Sequence, residues 1–212
     1  MQSRMLILLY IMTASLASPL QAQTAHTDPD YATDELFWGA LYAEGGQTLY
    51  CNEAFDSSPV LITVSRVYSL GWARDELRCP TARTCLRENE DYARLASDLH
   101  NMFPARSSFE MRRSNSRYAE ISGTGSVGEC GERTTYRSLE PADQVKGQVA
   151  RAMLYVHATY ELPLRGDLTT YQQWNREFPP DEQEIERNQT IEQLQGNSNP
   201  FIDDPSLADE LI

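Results

Sequence analysis

The chain has 212 residues, 31 acidic against 18 basic, for a net charge of −13 at pH 7, and 41% of it is hydrophobic. That content supports a globular core and, at about 100–200 residues per domain, one domain. The overall charge excludes a protein held to polyanions by net attraction. The charge is unevenly spread, however. Gln23 to Pro59 holds seven acids and no Lys or Arg, and Val60 to Arg151 holds fourteen basic residues against twelve acids. From Ala152 onward there are twelve acids against Arg165, Arg176 and Arg187.

Residues 1–22, MQSRMLILLYIMTASLASPLQA, place Arg4 before an apolar run and end on a small residue. This pattern predicts a secretory signal peptide, since a membrane span needs about 20 apolar residues. No later run is long and apolar enough to span a bilayer, so no membrane association is expected after cleavage. The expected location is periplasmic or secreted. Four cysteines, an even number in an exported chain, favour disulfides. Cys79 pairs with Cys85 across a short Pro-containing loop, and by elimination Cys51 pairs with Cys130. Zinc would need clustered ligands, which Cys51 and Cys130 lack.

In chain order, Thr33 is placed to cap a helix with Leu36, Phe37, Ala40 and Leu41 on its apolar face, stopped by Gly45-Gly46. VLITVSRVY (Val60 to Tyr68) is β-branched and reads as a strand. A helical turn follows through Trp72 and Leu77. Tyr92, Leu95, Ala96 and Leu99 recur at helical spacing until Pro104 ends the pattern. GTGSVGECGE (Gly123 to Glu132) reads as a flexible connection. Pro141 opens a long helix with Val145, Val149, Ala152 and Val156 on one face. Another helix opens at Asp167 and presents Leu168, Tyr171, Trp174 and Phe178. The last runs from about Asp181 to Leu194, with Gly196 as its cap. Residues 204–212 form an acidic tail, and the chain beyond Phe201 is expected to be disordered. One strand region among four or five helices gives an α+β, helix-dominated class.

Five segments carry a resemblance. They are LYC around Cys51; VYSLGW followed by CPTARTC; SDLHNMFP; LEPADQVKGQVARAMLY; and WNREFPPDEQEIERNQTIEQLQGNSNPFID. In kind, order and spacing they resemble the secreted and periplasmic endonuclease I family, whose active site is a ββα-metal (His-Me) finger. The resemblance implies a single domain over residues 23–203 built on that finger. It also implies magnesium-dependent, non-specific cleavage of DNA, and of RNA as a further possibility, by a monomer.

In that family a Glu-His pair closes a strand, the His being the base that activates water and the Glu a metal ligand. An Asn about six positions after the Pro of the LHNxxP motif completes the metal site. Imidazole suits the base, and hard oxygen ligands suit the cation. Here the Glu-His pair falls on Ser65 and Arg66, and the Asn falls on Glu110. Arg66 cannot act as a base at neutral pH. Losing a positioned base costs about 10²- to 10⁴-fold in rate. His100, with Asp98 or Glu110 holding metal, is the one candidate for a relocated base. His26 lies near the N-terminus and His157 on a long helix. Arg66, Arg106, Arg112, Arg113 and Arg117 are candidates for phosphate contacts, or equally for salt bridges to the abundant acids. Three functions therefore remain open: an active nuclease; a pseudonuclease that binds nucleic acid or a protein partner; and an exported scaffold whose acidic ends engage a partner.

Overall fold

A computed structural model describes residues 25–57, 60–113, 115–123 and 125–212, so the signal-peptide expectation lies outside the described residues. The first helix starts earlier than Thr33. Asp28 accepts from the amides of Asp30 (3.0 Å) and Tyr31 (3.2 Å) and caps α1 (Pro29–Tyr31), with proline at the first position. α1 continues as a π-helix over Ala32–Leu41 that buries Ala32, Leu36 and Phe37. Gly45 has φ +90°, and a Cβ there would lie 2.2 Å from Phe55 O, so only glycine allows the chain to turn into the next strand. That strand, β1 (Gly46–Gln47), pairs antiparallel with β2 (Ala54–Phe55).

The β-branched run forms β3 (Ile62–Arg66), antiparallel to β4 (Met102–Arg106), with Ser65 opposite Phe103 and Arg66 opposite Met102. Between them lie α2 (Leu70–Glu76), α3 (Ala82–Glu88) and α4 (Glu90–Ala96), capped by the side chains of Ser69, Thr81 and Asn89. A 3₁₀ turn, Leu99–Asn101, capped by Asp98, leads into β4. The expected helix thus ends before Pro104, which sits within β4 opposite Val64. Proline offers the ladder no N–H, and a two-stranded pair tolerates this. Its carbonyl is used, accepting from Leu49 N (2.8 Å).

α5 (Ser107–Arg113) follows β4 directly. The Gly-rich stretch is more ordered than expected. It contributes to a four-stranded sheet of β5 (Arg117–Tyr118), β6 (Ser126–Val127), β7 (Arg133–Thr134) and β8 (Ser138–Glu140) in the order β5-β8-β7-β6. β5 and β8 run parallel and the other pairs antiparallel.

α6 (Asp143–Tyr160) is the central helix, and its residues 149–156 are all buried. It is therefore enclosed on all sides there, not on the single face its periodicity suggested. α7 (Leu168–Glu177) packs its Trp174 and Tyr171 into the same core. A Cβ on Gly147 would meet Phe178 O at 2.0 Å, so glycine permits the close approach of α6 to the end of α7. α8 (Glu182–Gln195) is capped by Asp181, whose Oδ1 accepts from Glu184 N at 2.8 Å, and it ends at Gly196 with φ +88°. Ile191 of α8 joins Ala32, Leu36, Phe37, Leu99 and Met102 in a second core cluster.

The tail is ordered, contrary to expectation. After α9 (Pro200–Asp203), a 3₁₀ helix over Pro205–Glu210 buries Ala208. Gln172 of α7 donates to Ala208 O (2.9 Å), and Arg176 pairs with Asp209 (2.5 Å). Composition marked this segment as solvated, but its small apolar contacts and backbone carbonyls found a surface to satisfy them. The mixture of helices and small sheets is α+β. Cys51–Cys130 and Cys79–Cys85 are disulfides, as expected.

Candidate functional site

The end of β3 and the middle of α5 bring Ser65 and Glu110 together, with Arg66 next in the chain. The pairing of β3 with β4 fixes Ser65, and the direct β4–α5 junction turns Glu110 back over it. Ser65 is fully buried, and its Oγ donates to Glu110 Oε2 at 2.6 Å. Arg113, one helical turn beyond Glu110, grips the same carboxylate with two bonds: Nε to Oε2 at 3.0 Å and Nη2 to Oε1 at 2.7 Å. Both oxygens of Glu110 are therefore occupied by a cation and a hydroxyl.

Arg113 does more than pair with Glu110. Its side chain is 1% exposed, and it also donates to Arg66 O (2.9 Å) and Tyr118 Oη (3.2 Å). Tyr118 Oη in turn lies 2.5 Å from Tyr50 Oη, and the Tyr50 ring stacks on Phe109. Burial pushes both tyrosines above their ordinary range, so they stay neutral and act here as hydrogen-bonding groups. Burial opposes the charge on Arg113, but its pKa is raised overall, and with both tyrosines neutral the charged partner that keeps the guanidinium protonated is Glu110. The sequence left Arg113 open between a phosphate contact and a salt bridge, of which the salt bridge is found, and it did not single out Tyr50 or Tyr118. The spacing of Glu110 and Arg113, three apart on a helix, was the available signal.

Arg66 turns away from Glu110. Its Nε and Nη2 donate to Ala96 O at 3.0 and 2.7 Å, ending α4 with a charged cap on its last carbonyls. Burial lowers the Arg66 pKa, but a guanidinium remains a donor at neutral pH. The other arginines are dispersed. Arg106 meets Glu53 at 3.3 Å and Glu129 at 3.5 Å. Arg112 is half-exposed, near Glu132 Oε1 at 3.5 Å and over the Phe109 ring. Arg117 is exposed on β5, with Nε donating to Ser138 Oγ at 3.3 Å.

His100 and Asp98 belong to a different part of the molecule, the buried junction of α6, α8 and the 3₁₀ turn. His100 Nε2 bonds Asn197 O at 2.9 Å, its ring stands edge-on to Tyr155, and burial lowers its pKa. A carbonyl partner fixes the proton on Nε2. Asp98 accepts four hydrogen bonds: from His100 N (2.9 Å), Gln195 Nε2 (2.9 Å), Tyr155 Oη (2.7 Å) and Tyr160 Oη (2.7 Å). His26 is by Leu194 O, and His157 Nδ1 contacts Leu162 O. The hydrogen bonds described for the three imidazoles go to Leu194 O, Asn197 O and Leu162 O, away from Ser65, Arg66 and Glu110. Among the described residues, no group of three or more His, Cys, Asp or Glu is gathered as a metal site would need.

The matched motifs map onto this second region. Arg151, in KGQVAR, is 1% exposed and bonds Glu184, Asn175 and Phe178 O, so one side chain ties α6 to α7 and α8. Asn199, in QGNSNPF, accepts from Phe201 N and donates to Arg151 O (3.2 Å), while Asn188 Oδ1 accepts from its amide. Lys146, the first residue of KGQVAR, is held by Glu120, Glu140 and Asp143.

Comparison with known proteins agrees with these motifs. The chain is 36% identical over 121 residues to an extracellular deoxyribonuclease of Aeromonas hydrophila, an alignment covering 55% of this chain and 53% of that protein. A periplasmic deoxyribonuclease of the same organism is 28% identical over 220 residues, covering 91% and 92%. An extracellular ribonuclease of Bacillus subtilis (strain 168) is 33% identical over 134 residues, covering 54% and 46%. The chain thus spans about half the length of two of these relatives and most of the third. Relatives of this kind, named as extracellular or periplasmic, agree with the paired cysteines: the protein is periplasmic or secreted. No helix among the described residues is long and apolar enough to cross a membrane. The model of the Endonuclease I family matches residues 79–206, a span that takes in Glu110 and begins after Ser65 and Arg66. With that match covering more than half of it, the chain belongs to the Endonuclease I family.

Proposed function

We propose that this protein is an endonuclease I family member that binds nucleic acid but whose metal-dependent phosphodiester cleavage is lost or strongly weakened. The observation that carries the reading is the occupied carboxylate of Glu110. Arg113 takes both of its oxygens and Ser65 Oγ takes one of them again, at 2.6–3.0 Å.

Magnesium, which the family resemblance implies, does not fit these residues. Two unit charges of like sign 4 Å apart repel by about 4 kcal/mol at an effective dielectric of 20. A dication on Glu110 would face Arg113 at comparable range and be repelled more. Ser65 adds a neutral hydroxyl where the resemblance places a carboxylate, and Arg66 adds a guanidinium where it places the base. His100 gives no replacement: with its proton on Nε2 facing Asn197 O, its basic Nδ1 is buried out of reach of solvent water, and its contacts lie away from Glu110. What this cluster can do is hold the end of β3 rigid beside α5.

The test is a plasmid-nicking assay on the disulfide-intact protein with magnesium and with chelator, alongside a binding measurement. The expected result is DNA binding without chelator-sensitive nicking. Cleavage at about 1 s⁻¹ or faster, a rate ordinary for enzymes, would overturn the proposal. Restoring Ser65→Glu, Arg66→His and Glu110→Asn together should return activity more fully when Arg113→Ala is added, since Arg113 otherwise stays as a cation inside the rebuilt site. Single reversions should do little, because base and metal act on one water and one phosphate.

A further inference from the structure

We infer that the pocket between α5 and the β5-β8-β7-β6 sheet seats an unstacked base of single-stranded nucleic acid, with Tyr136 and Arg112 as the residues that hold it. The inference rests on the reading above and deepens it by naming the form of nucleic acid bound. The pocket has a volume of about 330 Å³. That is at the lower end of the ~300–1,000 Å³ typical of ligand sites, room for one base and its sugar.

Its chemistry is mixed in the way a nucleobase requires. Phe109 and Leu139 supply apolar wall, while Ser116, Ser126, Thr134 and Thr135 bring hydroxyls that both donate and accept. Tyr136 lines the pocket and is 91% exposed, a large aromatic residue left in water. The Arg137 guanidinium lies 5.5 Å from the centroid of that ring, and Arg112 lies 5.7 Å from the centroid of Phe109. Phe109 is buried against Tyr50, so the face open to a base is that of Tyr136, and an exposed aromatic ring beside a guanidinium is a platform on which single-stranded bases stack without regard to sequence. Arg117 follows the lining residue Ser116, and its amide donates to Arg137 O at 3.1 Å, so Arg112, Arg117 and Arg137 are three exposed cations at or beside the pocket.

Two comparisons favour this pocket and this ligand. A larger cavity, about 1030 Å³, lies against α8, where Asp181, Glu182, Glu184 and Glu186 outnumber Arg187, whereas the pocket beside α5 sets one carboxylate, Glu132, against Arg112 and Arg113. With a net charge of −13, the protein gains little from long-range attraction to a polyanion, so stacking must carry more of the binding. A base inside a duplex cannot enter such a pocket without being flipped out at a cost of a few kcal/mol. Single strands should therefore be preferred. The pocket also adjoins the Glu110 cluster, since Arg113 lines its wall while gripping that carboxylate.

The test is fluorescence anisotropy with a labelled single-stranded oligonucleotide and the matching duplex, in chelator throughout so that cleavage cannot interfere. Tyr136→Ala and Arg112→Gln should each weaken single-strand binding about 5- to 100-fold, the range for losing one stacked base. Tyr136→Phe should bind as the wild type does, as should Met111→Ala, which alters an exposed residue outside the pocket. The duplex should bind more weakly and respond little to Tyr136→Ala. Wild-type affinity in both Tyr136→Ala and Arg112→Gln overturns this inference while leaving the nucleic-acid-binding function standing. So does an equal loss for the duplex, or a similar loss in Met111→Ala. A wild-type protein that binds neither oligonucleotide overturns both.

Discussion

Two buried arginines, Arg113 and Arg151, are each 1% exposed and each grip a glutamate with two bonds, yet they serve different ends. Arg151 joins three helices: it lies on α6, its partner Glu184 on α8, and its other acceptors Asn175 and Phe178 O at the end of α7. Glu184 is itself 5% exposed, so the pair is closed off from water. Arg113 works locally. Its partner Glu110 is three residues away on the same helix and 26% exposed, and its remaining acceptors are carbonyls at the end of β3 and a tyrosine hydroxyl. The first clamp falls in a family motif and sets the packing of helices. The second sits among Ser65, Arg66 and Glu110, where the resemblance puts the metal site, and under the proposed function an ion pair there takes the place of a bound cation.

The sharpest way to break this comparison is Arg151→Ala. Removing one partner of a buried pair costs about 3–5 kcal/mol, and Glu184 would be left without its cation inside the core. Urea unfolding should show a loss of that size; a loss below about 1 kcal/mol would mean that α6, α7 and α8 hold together without the clamp.

Glu110→Asn should cost less, about 1–3 kcal/mol, the penalty for leaving a buried polar group short of partners. Arg113 keeps its bonds to Arg66 O and Tyr118 Oη, and water can reach the partly exposed position. Replacing both partners, as in Glu110→Leu with Arg113→Met, should cost less than the sum of the single changes because no charge is left stranded, although Ser65 Oγ, Arg66 O and Tyr118 Oη each lose a partner. If the double change is as harmful as the sum of the single ones, the pair is not a unit and the local reading of the Arg113 clamp fails.

The smallest effect concerns acid. Burial alone would raise the Glu140 pKa, but hydrogen bonds from Lys146 and from the Ile121 amide lower it below its ordinary 4.5. A carboxyl depressed on folding adds stability that is fully present above its unfolded pKa and is lost as pH falls through the folded value. Stability should therefore decline below about pH 4.5, and Glu140→Gln should flatten that decline relative to the wild type in melts between pH 5 and pH 3. An unchanged slope would assign the acid sensitivity to other carboxylates.

What could be read from the chain followed from local chemistry. The β-branched Ile62–Arg66 became β3, Asp181 and Gly196 bounded α8, and the four cysteines paired as their number and setting implied. Other boundaries moved by a few residues or changed type. Asp28, not Thr33, caps the first helix, and Pro104 lies in a strand because that strand has a single partner along the ladder. The two-residue strands β1, β2, β5, β6 and β7 are too short to show an alternating pattern, so only their partners define them. The tail reads as acidic and solvated, and only its docking on Gln172 and Arg176 orders it.

The motifs by themselves identified the family and, through the resemblance, pointed to Ser65, Arg66 and Glu110 as the positions to inspect. They said nothing of what those residues do now. That depends on side chains converging from β3, α5 and β5, positions far apart in sequence, and on Arg113 and Tyr118 closing around one carboxylate. A carboxylate is a metal ligand or half of an ion pair according to which group reaches it in space. The order of residues along a chain does not contain that distance; the packing of the helix against the strand sets it.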